Sequence, residues 1–99
     1  MMSDDIREAF LVEFDQFFTT LKDEFQKAKE NRPTNNLEVF RAFHTWKGNA
    51  NLLGYKDFGE FAIKWTEHFR PLKDRTSLKE DKNVLNSILK ELEKFRKTF

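Results

Sequence analysis

Phe43-His44-Thr45-Trp46-Lys47-Gly48-Asn49-Ala50-Asn51-Leu52-Leu53-Gly54 is the stretch on which both the fold and the chemistry of this chain turn. Phe43, Trp46, Ala50 and Leu53 recur at the three-four spacing that gathers apolar side chains on one side of a helix, and Val39 extends the stripe backwards. Arg41, His44, Lys47, Gly48 and Asn51 fall toward another side, which sets His44 at the edge of the buried face. Gly54 is a natural C-cap. A glycine inside a helix costs about 1 kcal/mol relative to alanine. Gly48 follows the only imidazole of this helix by one turn, and the reason read here is access for something large to His44.

Working outward, Ile6, Phe10, Phe14, Phe17, Leu21 and Ala28 trace a long first helix from Ser3 to Lys29, with Ser3 as N-cap and Asp4 and Asp5 at its positive end. A second stripe of Leu11, Phe18 and Phe25 widens its apolar face. Asn31-Arg32-Pro33-Thr34-Asn35 breaks the pattern, because proline cannot donate to a helix and asparagine suits turns and caps. The second helix is expected to start near Asn35 or Asn36. Beyond Gly54, Asp57 is the expected N-cap of a third helix through Phe58, Phe61, Ala62, Trp65 and Phe69 that must stop before Pro71. Ser77 and Glu80 read as a capping box before a fourth helix marked by Leu85, Ile88, Leu92, Phe95 and Phe99. No strand signal competes. The expected fold is all-α, an antiparallel up-down-up-down four-helix bundle forming a single domain over residues 1–99.

Composition narrows the function classes. A chain of 99 residues can bury one core, and its twelve Phe supply the volume that a 38% apolar content would otherwise lack. With a net charge of +1 and both signs interspersed, it lacks the basic field that nucleic-acid partners require. The absence of cysteine excludes disulfides, thiolate chemistry and sulfur-based metal sites. The start, Met1 to Ile6, is acidic, and no apolar run approaches the roughly 20 residues of a membrane span. The expectation is a cytoplasmic monomer without a membrane partner.

Neither His44 nor His68 has a glutamate three residues before it, as a di-iron bundle would need, so no metal site is expected. His68 reads as structural or solvent-facing. The glycines at 48, 54 and 59 form no phosphate-cradling loop, which argues against ATP binding, and Ser77 and Ser87 belong to no visible triad. What remains is the group around His44. A neutral imidazole offers a nucleophilic nitrogen near physiological pH, Lys47 one turn on can neutralise phosphoryl oxygens, and Gly48 clears the approach.

These residues resemble the histidine-containing phosphotransfer domains of bacterial two-component signalling. The family pattern His-x-x-Lys-Gly-x-Ala/Ser-x-x-x-Gly is met by His44, Lys47, Gly48, Ala50 and Gly54. Leu53, Tyr55, Phe58, Glu60, Phe61 and Ala62 extend the likeness, as does the opening Phe10-Leu11-Val12-Glu13-Phe14. The acidic start, the Arg41-Ala42-Phe43-His44 run and the long last helix look most like the N-terminal phosphotransfer domain of chemotaxis-type histidine kinases.

The resemblance implies that His44 accepts a phosphoryl group from a receiver aspartate or a kinase ATP-binding domain and passes it to a response-regulator receiver. The chain would be a phosphocarrier rather than an enzyme, or an excised part of a sensor histidine kinase. No cofactor of its own is implied, since Mg²⁺ sits on the partner. The family often places Glu or Gln against the second ring nitrogen at the position that Thr66 occupies here, and Glu67 is rotated away by about 100°. Phe18 is the preferred docking residue, with Asn51 beside the motif and Arg41 and Lys64 as rim contacts. The alternative is a non-phosphorylated interaction module with the same bundle and docking surface.

Overall fold

A computed structural model describes residues 4–99. It contains four α-helices, α1 (Asp4–Lys29), α2 (Asn36–Leu53), α3 (Lys56–Phe69) and α4 (Lys82–Thr98), with a short 3-10 turn over Arg70–Leu72. The fold is all-helical among the described residues and bundle-like. The Ser3 N-cap expected for α1 lies outside the described residues.

Phe14 shows how the core is built. Its ring is 1% exposed and meets Trp46 of α2 at 5.1 Å, Phe58 of α3 at 5.8 Å and Phe99 at the end of α4 at 5.4 Å. One side chain from α1 therefore meets rings of α2 and α3 and of Phe99, the residue that closes α4. The stripe expected on α2 is buried in full, through Val39, Phe43, Trp46, Ala50 and Leu53. On α1 the stripe is buried at Phe10, Phe14 and Leu21, half-buried at Phe17 and Ala28, and surfaces at Ile6, which is 44% exposed. Phe25 is fully buried, so that member of the second stripe is core, whereas Leu11 and Phe18 are half-buried against it.

Two helix starts differ from expectation. Asp57 does not cap α3: the residue before the helix is Tyr55, which makes no side-chain cap bond, and Asp57 lies within the first turn. The preceding turn explains this. The Tyr55 N–H already donates to Ala50 O at 2.9 Å and the Gly54 N–H to Asn51 O at 3.4 Å, a Schellman pair, and the Tyr55 carbonyl accepts from Gly59 N at 2.9 Å. The second helix thus passes into the third with no residue to spare for a cap at 57.

Ser77 and Glu80 likewise form no capping box. Asp81 caps α4 by accepting from Asn83 N at 2.7 Å. Ser77 and Glu80 lie ahead of the helix, in the segment tied down by the Asn36 amide at the Ser77 carbonyl and by His68 at the Glu80 carboxylate, and the helix begins only at Lys82. Among the described residues no helix is long and apolar enough to cross a membrane.

Candidate functional site

The helix that carries His44 is pinned at both ends. At its start the Asn35 side chain accepts from Glu38 N at 3.2 Å, and the Asn35 N–H donates to Glu24 of α1 at 2.7 Å. Asn36 is 1% exposed and its amide donates to Leu72 O at 3.0 Å and Ser77 O at 2.8 Å, tying the helix to the α3–α4 connection. At its end Gly54 adopts the left-handed conformation, φ 74°. With a buried stripe along its length and fixed ends, α2 is a rigid platform.

On the outer side of that platform His44 is exposed. Its ring stacks on Phe40, one turn earlier, at 5.5 Å between centroids and 19° between planes. Phe40 itself is only 8% exposed. The imidazole therefore has one face on a buried ring and its edge toward solvent, and no described residue hydrogen-bonds its nitrogens. Lys47 is half-buried and Gly48 exposed.

A Cβ built at Gly48 would meet nothing within 4 Å. Close helix packing is therefore not what selects glycine there. The backbone carries the helical cost of glycine there with no internal contact that demands it. All three glycines, Gly48, Gly54 and Gly59, line one groove of about 480 Å³ between α2 and α3, together with Lys47, Asn51 and Ile63. That groove begins one turn from His44.

The remaining candidates scatter. His44, Lys47, Gly48 and Asn51 share the surface of α2, with Arg41 exposed just before them and 3.4 Å from Glu38. Phe18 lies on α1, stacked on Phe14 at 6.4 Å with Lys22 over its ring, and Lys64 Nζ sits 4.9 Å over Trp65. Thr66 is fully buried and its hydroxyl donates to Ala62 O at 2.6 Å, so this donor is spent on its own helix. His68 pairs with Glu80 and meets Trp65 edge-on, bracing α3 against the segment before α4.

Four residues of the site were not singled out for a role in sequence. Phe40 is the platform, and Arg70 Cζ and Lys73 Nζ lie over the same ring at 5.2 Å and 5.6 Å. Glu67 accepts from Arg70 Nη2 at 3.1 Å. The Arg70 guanidinium beside it holds the Glu67 carboxyl below the usual carboxylate range, and the charge of Lys47 pulls the same way. The one local signal was Phe40, four residues before His44 and hence on the same helical edge. Comparison with family models, curated proteins and solved structures returns no match for this chain.

Proposed function

We propose that this chain is a histidine phosphotransfer domain, an antiparallel up-down-up-down bundle in the cytoplasm that carries a phosphoryl group on His44 between partner proteins. The observation that carries the reading is the arrangement on α2: an exposed imidazole on a buried ring, a half-buried lysine one turn on, and a glycine with open space beside it. The bundle topology is supported by paired contacts that run in opposite order along neighbouring helices. Glu24 with Asn35 and Glu13 with Asn49 join α1 to α2, Phe40 with Arg70 and Phe43 with Phe69 join α2 to the end of α3, and Lys29 with Asn86 and Asp15 with Arg96 join α1 to α4.

In the proposed step the unprotonated ring nitrogen of neutral His44 attacks phosphorus. The N–P bond forms as the donor's bond from oxygen to phosphorus breaks, and the departing oxygen keeps the electron pair, as a carboxylate when the donor is a receiver aspartate. Onward transfer reverses this at a second aspartate. Lys47 offsets charge on the phosphoryl oxygens, while Mg²⁺ and the acidic pocket belong to the receiver or kinase domain. The domain is a carrier and substrate, so most transition-state stabilisation comes from the partner.

Phe18, Arg41, Asn51 and Lys64 are proposed to contact that partner. A pure interaction module is the second reading, favoured by Thr66, whose hydroxyl is turned to Ala62 and away from the role of tautomer-fixing partner. Incubation with radiolabelled phospho-receivers separates the two. The phosphotransfer reading expects an acid-labile, base-stable label on the wild-type domain and none on His44→Gln. No transfer from several competent donors, or equal labelling of the variant, rejects it.

A further inference from the structure

The ring of Phe40 gathers three groups that sequence keeps apart: the His44 imidazole from its own helix, Arg70 from the turn after α3 and Lys73 beyond it. Arg70 does not hang free over that ring. Its guanidinium donates to Glu67, an exposed carboxylate on the last turns of α3. The charge of Lys47, one turn from His44, adds only the smallest part to the lowering of the Glu67 carboxyl that Arg70 dominates. Arg70 is thus shared between the Glu67 carboxylate and the Phe40 ring on which His44 stacks, and Lys73 meets that same ring.

A phosphoryl group on imidazole brings up to two negative charges and three acceptor oxygens into that field. Arg70, which shares the Phe40 ring with His44, is the cation drawn to them, and Glu67 is what it holds beforehand. Resting on the phosphotransfer reading of His44, we propose that Glu67 is a resident anion, a positioning residue that holds Arg70 over the Phe40 ring on which His44 stacks until the phosphoryl group arrives and draws the guanidinium away from it. An oriented cation then needs little rearrangement when the charge appears, which is the advantage of a preorganised electrostatic site. Glu67 also repels the incoming anion, so it sets how tightly the phosphorylated state is held.

The test does not need a natural partner. Phosphoramidate transfers its phosphoryl group to imidazole, the N–P bond to His44 forming as ammonia leaves, and the phosphohistidine is then followed by ³¹P NMR across pH. Glu67→Gln is expected to strengthen the dianion, lowering the proton affinity of the phosphoryl group by about two- to five-fold, the size of an exposed charge pair. Arg70→Gln is expected to raise it by a similar factor. If Glu67 acts through Arg70, the double variant departs from the product of the two single effects.

An unmoved titration in Glu67→Gln overturns the resident-anion proposal while transfer from a receiver still stands on its own evidence. A shifted titration with no exchange from any receiver supports the charge arrangement and rejects phosphotransfer. Failure of phosphoramidate to label His44 removes the accessible nucleophile and overturns both. Arg70→Lys, which keeps the charge but not the fork, is expected to restore most of the Arg70→Gln change.

Discussion

Phe40 and His44 lie one turn apart on α2 with their rings nearly parallel, 5.5 Å between centroids and 19° between planes. The inner ring is 8% exposed and the outer one faces solvent. The stack turns a flexible surface side chain into one with a fixed base, and it joins the imidazole to the cations that share the Phe40 ring.

Replacing Phe40 by leucine keeps apolar volume beneath His44 but removes the flat surface. Thermal stability is expected to fall by about 1–2 kcal/mol, below the roughly 3–5 kcal/mol of a full Phe→Ala truncation. Labelling of His44 by phosphoramidate is expected to change along with it. A leucine variant with wild-type labelling would show that the stack does not orient the ring.

Gly48 separates stability from access. Because its Cβ position is open, Gly48→Ala is expected to raise stability by up to about 1 kcal/mol, the helical preference of alanine over glycine. Gly48→Glu is expected to fold normally and to lose phosphotransfer, since it adds bulk and like charge where the donor approaches. Thermal melts and transfer kinetics on the two variants decide the matter, and unaltered kinetics in the glutamate variant count against clearance.

Trp46 is wholly buried among Phe14, Phe17, Phe43 and Phe58, and its indole N–H finds no hydrogen-bond partner among the described residues. Its contribution is therefore packing. Trp46→Ala is expected to cost about 3–5 kcal/mol, and Trp46→Phe distinctly less because no hydrogen bond is lost with the indole. Denaturant midpoints of the two variants check the order, and equal losses would contradict it.

Asn36 is a buried polar clamp that donates to two carbonyls beyond α3. Asn36→Leu leaves both acceptors without their donor, at an expected cost of about 1–3 kcal/mol from two part-buried hydrogen bonds. Amide exchange is the sharper measurement: protection is expected to drop at the start of α2 and around Leu72 to Ser77 before it drops at Trp46. Uniform loss would mean that the clamp serves the whole bundle rather than this end of it.

The Glu67 carboxyl titrates below its ordinary value, chiefly through its hydrogen bond to Arg70 and that residue's charge. A lowered folded value means that the pair contributes stability above the unfolded pKa of Glu67 and loses it as pH falls through the lower, folded one. Carbon-detected NMR titration is expected to place Glu67 below the unpaired glutamates, with the value moving upward in Arg70→Gln. No upward movement in that variant would show that Arg70 is not the cause.

The helical period along α2, the break at Pro33 and the left-handed cap at Gly54 were legible in sequence, because each depends on residues within one or two turns. So was the spacing of His44, Lys47 and Gly48, which one helix holds by itself. The starts of α3 and α4 were not. Asp57, Ser77 and Glu80 carry good local cap signals, but Tyr55 is consumed by the Gly54 turn, and contacts from Asn36 and His68 hold Ser77 and Glu80 in a segment ahead of α4, which Asp81 caps instead. The surroundings of His44 were hidden for the same reason. Glu67 was set aside as rotated away from the imidazole, and in the structure its carboxylate meets Arg70 instead.

Sequence by itself determined that this chain makes four amphipathic helices and carries a histidine, a lysine and a glycine along one edge of the second. Only tertiary structure decided which cations share the Phe40 ring with that histidine. Helical periodicity is set by each residue's near neighbours, whereas Arg70 and Lys73 reach the Phe40 ring only because the core brings the end of α3 against the first turns of α2.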